Sequence, residues 1–87
     1  MIDSMRDLPF PYPGQILLHE FLEPMGLGAL KLANAIGVPE DEVNELLRGR
    51  LAVSIELDRR LCKHFGTAPG FWTSLQSAYD LRSWEES

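Results

Sequence analysis

ALKLANAIGVPEDEVNELLR, residues 29–48, is the stretch from which the rest of the chain can be read. Leu32, Ala33 and Ile36 recur at helical spacing and give a short helix one apolar stripe. Gly37 follows at once, and glycine takes the positive φ of a helix C-terminal cap without Cβ strain. Val38 fits the gap between two helices and Pro39 suits the first turn of the second, which turns Val43, Leu46 and Leu47 back toward the first. Ala33 is small where crossing helices must approach closely; Gly37 comes four residues later and Val43 six beyond that. Together these make a helix-turn-helix unit. The sharper reading of that unit is the DNA-binding geometry, and the plainer one is a simple helical hairpin.

The 87 residues suffice for one domain, and a chain of this size buries only roughly 60% of its unfolded surface. No uninterrupted apolar run approaches the ~20 residues of a membrane span, and residues 1–7 lack a basic, apolar signal sequence, so a cytoplasmic protein is expected. A single cysteine, Cys62, cannot close an internal disulfide, in keeping with a reducing compartment. Net charge is −5, whereas DNA-binding domains draw much of their affinity from a basic, phosphate-neutralising surface. An acidic chain must segregate its charges or have another main partner, such as a basic protein. Six of the eight Lys and Arg residues, Lys31, Arg48, Arg50, Arg59, Arg60 and Lys63, cluster between residues 31 and 63, which favours segregation. Of these, Arg59, Arg60 and Lys63 read as a solvated helix face.

Residues 1–13 are polar and then broken by Pro9, Pro11 and Pro13, which predicts an extended arm pinned by Phe10 and Tyr12. A first helix runs from Gly14 to Glu23 with Ile16, Leu17, Phe21 and Leu22 near one face, stopped by Pro24 and Gly26. After the helix-turn-helix unit, Gly49 ends its second helix and Arg50 to Val53 forms a loop. Ser54 caps a fourth helix, with Glu56 and Asp58 in its first turns, Leu57, Leu61 and Phe65 on its buried stripe, and Gly66 at its end. Pro69 opens a fifth helix bearing Phe71, Trp72, Leu75, Ala78 and Tyr79, and residues 83–87 form a frayed tail. His19 and His64 lie far apart without Cys or carboxylate at ligand spacing, so no metal is expected. Cys62 has no activating partner and reads as a small core residue. Neither cofactor nor enzymatic activity is expected.

Beyond the helix-turn-helix, PYPGQILLHEFLEPMGL, RGRLAVS and HFGTAPGFWTSLQSAYDLR resemble the HigA-type (VapI-like) antitoxins, a branch of the Xre repressor superfamily, over Pro13 to Arg82. The resemblance implies an all-α, five-helix Xre/lambda-repressor-like domain over residues 14–82 with a C-terminal dimerisation helix. It also implies a homodimer that binds operator DNA and represses its own operon, and a small basic HigB-type toxin as partner. Carried over by position, Lys31 and the outward residues of the second motif helix, Glu40, Asp41, Asn44, Glu45 and Arg48, would face DNA; Arg50 and Ser54 suit phosphate contacts. Relatives favour Ser-Pro-Glu before the Phe-Trp pair, where this chain has Ala68, Pro69 and Gly70. That loss of a cap should weaken the fifth helix by ~1 kcal/mol unless Thr67 substitutes.

The acidic run Glu40, Asp41, Glu42 is stabilised at a helix N-terminus by the dipole, yet it repels phosphate. One acid can accept from cytosine N4 in the major groove, and Asn44 suits adenine N6 and N7. Trp72, Leu75, Tyr79 and Trp84 exceed what so small a core readily encloses and suit a two-fold dimer seam, the alternative being packing within the chain. Two rival functions stay open: a solitary DNA-binding regulator, and an antitoxin that binds protein and has lost its hold on DNA.

Overall fold

The computed structural model describes residues 11–86, all of whose regular structure is helical. Helix α1 occupies residues 13–25, α2 Ala29–Ile36, α3 Glu40–Leu47, α4 Ile55–Phe65 and α5 Phe71–Glu86. Phe10, one of the two expected arm anchors, lies outside the described residues. Helices α2 and α3 pack on each other, α4 lies against α2 and α5, and the N-terminal turn of α1 wedges between α3 and α5. Leu17, Leu22, Leu32, Val43, Leu61 and Trp72 are fully buried where these helices meet. Among the described residues no helix is long and apolar enough to cross a membrane.

Helix α1 is not uniform. It is α-helical over Pro13–Ile16, π-helical over Leu17–Leu22 and α-helical again over Glu23–Met25. The widening lies immediately before Pro24, whose ring in a regular α-helix would crowd the carbonyl of Glu20. It also explains the burial pattern. Leu17 and Leu22 are five residues apart, roughly 140° around an α-helix at ~100° per residue, yet both are buried. A π-turn takes more than four residues, which brings both to the core face. Pro24 is thus accommodated, not a stop, and the helix ends at Gly26. There the Gly26 N–H donates to the Glu23 carbonyl (3.1 Å) and the Leu27 N–H to that of Leu22 (2.9 Å), a Schellman closure.

The α2–α3 turn is built as its sequence predicts. Gly37 takes φ 76°, and the N–H groups of Gly37 and Val38 both donate to the Ala33 carbonyl, at 2.9 and 3.0 Å. Helix α3 begins at Glu40, so Pro39 is its N-cap and not, as expected, part of its first turn. The turn has a second fastening from α4. Arg60 Nη1 donates to the Ile36 carbonyl at 2.7 Å and reaches that of Gly37 at 3.4 Å, while its Nε donates to Glu56 at 2.9 Å. Arg60 is therefore a clamp on the carbonyl end of α2, where a cation also suits the helix dipole, and not part of a solvated face.

Helix α5 corrects three expectations. It continues to Glu86, through the stretch expected to fray. Trp72 is 0% exposed, tilted against Phe21 at 5.1 Å between ring centroids and edge-on to Phe71 at 4.9 Å, so it belongs to the chain's own core and not to a dimer seam. Phe21, Phe65, Phe71 and Trp72 meet in one cluster of tilted and edge-on rings. Lastly, the missing cap is supplied by neither Ala68 nor Thr67. Asp58, buried in α4, accepts from the N–H groups of Gly70 (2.8 Å), Trp72 (2.8 Å) and Thr73 (3.3 Å), while Thr67 Oγ1 accepts from the Trp72 indole at 3.2 Å. Burial pushes the Asp58 carboxyl up, but those N–H groups and the Cys62 thiol outweigh it and hold the carboxyl below its usual range.

Candidate nucleic-acid interface

The burial of Val43 and Leu46 fixes how α3 is turned. At ~100° per residue, Asp41 and Arg48 form the centre of the opposite face, flanked by Asn44 and Glu45, with Glu40 at its edge. Glu40, Asp41 and Arg48 are exposed; Asn44 and Glu45 are half-buried. Lys31 is exposed on α2. No side chain caps either motif helix, so apart from the Glu42 N–H, which donates to the Pro39 carbonyl at 3.1 Å, their first-turn N–H groups are open to solvent or a ligand.

The arginines at the end of α3 differ. Arg48, the C-cap residue, is paired with Glu45 at 3.1 Å across one turn. An exposed pair of that kind contributes little to stability and is readily exchanged for a stronger anion. Arg50 is exposed and has no ion pair among the described residues. Ser54 caps α4, its Oγ accepting from the Leu57 N–H at 3.1 Å. The cap uses the oxygen as acceptor, which leaves the hydroxyl hydrogen free to donate to an anion.

What holds this surface in place comes from the ends of the chain. Gly14 brings α1 against the backbone of Leu46 and Leu47 so closely that a Cβ would lie 1.9 Å from the Leu46 carbonyl oxygen. Beside it the Tyr12 hydroxyl donates to the Leu47 carbonyl at 3.0 Å, and its ring meets Tyr79 edge-on at 6.0 Å. Tyr12, one of the two residues expected to pin the N-terminal stretch to the body, thus bonds the end of α3. From α5, Gln76 Oε1 accepts from the Val53 N–H at 2.9 Å. Sequence reasoning missed Gln76; the signal was its place in the FW-x-x-L-Q motif, whose other members have obvious packing roles.

The chain is 38% identical over 81 residues to virulence-associated protein I of Dichelobacter nodosus, a match covering 93% of this chain and 75% of that protein. Antitoxin GraA in complex with its operator is similar in structure with a TM-score of 0.85 at 42% identity, over 92% of this chain and 81% of that one. Pseudomonas aeruginosa antitoxin HigA with the higBA promoter gives 0.81 at 36% identity, over 84% and 79%. The chain belongs to the HigA-type helix-turn-helix antitoxins. No family model matches it. Several other curated relatives are longer, and the chain spans 63–64% of their length.

In this HigA-type chain the residues expected at a dimer seam divide. Trp72 is enclosed, Leu75 and Tyr79 are half-buried, and Trp84 is 77% exposed beside Leu81 at 58%. The exposed pair lies in the last turns of α5, which stay helical where a frayed tail was expected.

Proposed function

We propose that this chain is the antitoxin and autorepressor of a type II toxin-antitoxin operon. It binds operator DNA as a homodimer and neutralises a small basic HigB-type toxin that cleaves mRNA. Two α3 helices enter successive major grooves about one turn apart, ~34 Å, with Arg48 and Arg50 on phosphates and Ser54 donating to another. The observation that carries this reading is that exposed Arg48 and Arg50 and the Ser54 cap all stand at or beside the short loop that follows an outward-facing α3. Operator and promoter complexes of the similar antitoxins support it. Releasing Arg48 from Glu45 supplies a cation where a phosphate approaches, and Asn44, which flanks Arg48 on the outward face, suits adenine N6 and N7.

The acidic first turn of α3 favours a second reading, in which the chain binds its toxin but not DNA. A labelled duplex from upstream of the protein's own gene, titrated at two salt concentrations beside a scrambled duplex, separates the two. Tight, selective, salt-sensitive binding is expected. Arg48→Ala with Arg50→Ala should weaken binding to both duplexes alike and lower the salt slope of the dimer by about four, one for each phosphate that its two protomers no longer neutralise. Unchanged affinity and slope would overturn the assignment of those arginines. Absence of binding by the unaltered protein at low salt would favour the second reading, and co-purification with the product of the adjacent gene tests the toxin partnership in either case.

A further inference from the structure

The loop between α3 and α4 is fastened in an uneven way. Its start is closed by the Gly49 and Arg50 N–H groups, which donate to the Leu46 and Glu45 carbonyls. Its end is closed by the Ser54 cap. Between them, among the described residues, one hydrogen bond from elsewhere in the fold reaches the backbone of residues 51–53, and it goes from the Val53 N–H to Gln76 Oε1 at 2.9 Å. A pocket of about 170 Å³, bordered by Leu51, Ala52, Gln76 and Asp80, opens beside the loop. Val53 is buried in the core and Leu51 packs against it, and on the side where the pocket leaves a void the hydrogen bond adds to that packing by fixing the backbone.

The amide of Gln76 is itself held in one orientation. Its Nε2 donates to Asp80 Oδ1 at 2.8 Å, one turn further along α5. An ionised carboxylate accepts and never donates, so it selects the NH2 side and turns Oε1 toward Val53. A flipped amide would set two donors against each other at Val53 and an oxygen against the carboxylate at Asp80.

We propose that Gln76, oriented by Asp80, is a positioning residue for nucleic-acid binding: it sets the loop so that Arg50 and Ser54 meet the phosphate backbone together. The proposal rests on the reading that this loop contacts DNA. Gln76 touches no ligand itself; it acts through Val53. It links α5 to the phosphate-facing loop in a single step.

The test is a double-mutant cycle on the full chain, read by titration into the labelled upstream duplex at two salt concentrations. Gln76→Ala should keep its helical circular dichroism and cooperative melting, lose about tenfold in affinity and show a shallower salt slope. Combined with Arg50→Ala, the loss should be clearly smaller than the product of the two single losses, because both act on the same phosphate contact. The exchange Gln76→Glu with Asp80→Asn preserves net charge, the acceptor toward Val53 and a donor–acceptor pair along α5. It should bind within about threefold of the unaltered protein, well short of the loss expected for Gln76→Ala. Independent, multiplicative losses would overturn the proposal, as would Gln76→Ala binding normally or the exchange variant binding as weakly as Gln76→Ala. An unaltered protein that fails to bind the duplex overturns the DNA reading and this proposal together; normal binding by Gln76→Ala overturns this one alone.

Discussion

Alanine in place of Asp58 should lower the unfolding free energy by about 3 kcal/mol. The side chain does for α5 what a local Ser or Thr does elsewhere, but from a neighbouring helix. Losing it strips the acceptor from three N–H groups, one of them on fully buried Trp72. Each buried donor left unpaired costs about 1–3 kcal/mol, with Gly70 and Thr73 at the low end because water can reach half-buried groups. A domain of this size has roughly 5–10 kcal/mol in all, so the melting temperature should fall by about 15 °C. Urea and thermal unfolding at neutral pH check it; a loss below about 1 kcal/mol would mean that the first turn of α5 finds other partners.

The same carboxyl makes the fold acid-sensitive in a defined direction. Its folded pKa is held down, so folding favours the charged form. The stabilisation is complete above the unfolded value, about 3.9, and drains away as pH falls through the lower folded value. Asp58→Asn keeps the shape and removes the titration. Stability of the natural chain should therefore fall more steeply below about pH 4 than that of Asp58→Asn. Parallel slopes would assign the acid response to other carboxylates.

Gly14→Ala should be the most disruptive single-methyl change in the chain, at about 3 kcal/mol. The added Cβ would meet the Leu46 oxygen at 1.9 Å, the Leu46 carbonyl carbon at 2.8 Å and the Leu47 Cα at 2.9 Å. All three are backbone atoms, so no side chain can swing aside. Helix α1 must retreat from α3, which stretches the Tyr12–Leu47 hydrogen bond and loosens the end of α3 that carries Arg48. Urea unfolding gives the stability and duplex titration the functional loss. Gly28→Ser is the control, since a Cβ there meets nothing within 4 Å and a hydroxyl would add the cap that α2 lacks; it should be as stable as the natural chain or slightly more so. A Gly14→Ala protein as stable as that control would mean that α1 is not wedged against α3.

The helix-turn-helix was legible because everything that specifies it is local. Leu32, Ala33, Ile36, Val43 and Leu46, read at helical spacing around Gly37, are all buried. The outward face of α3 followed from the same periodicity. What escaped were contacts between residues far apart in sequence. Asp58 looks like any acid in a first turn until one asks what satisfies the open N-terminus at Gly70, twelve residues on. Arg60 looks like a surface cation until the carbonyls at Ile36 and Gly37 need a donor. Trp72 suits a seam on the number of aromatics alone, which says nothing of how Phe21, Phe65 and Phe71 stack around it. Gln76 was hidden for a related reason: its partner is a backbone N–H, which every residue but proline has.

The π-helical turn at Leu17–Leu22 gives α1 a slack that α3 lacks. It holds one residue more than a regular turn. Shortened by one within that turn, and with Pro24 replaced by a residue that a regular helix tolerates, α1 would close as an ordinary α-helix with the two leucines four apart and still facing inward. Shortened by one, α3 would rotate the residues beyond the break by roughly 100°, carrying Arg48 off the outward face. Deletions thus obey different rules in the two helices: the first can lose a residue together with Pro24, while in the third chain length sets the aim of the outward face.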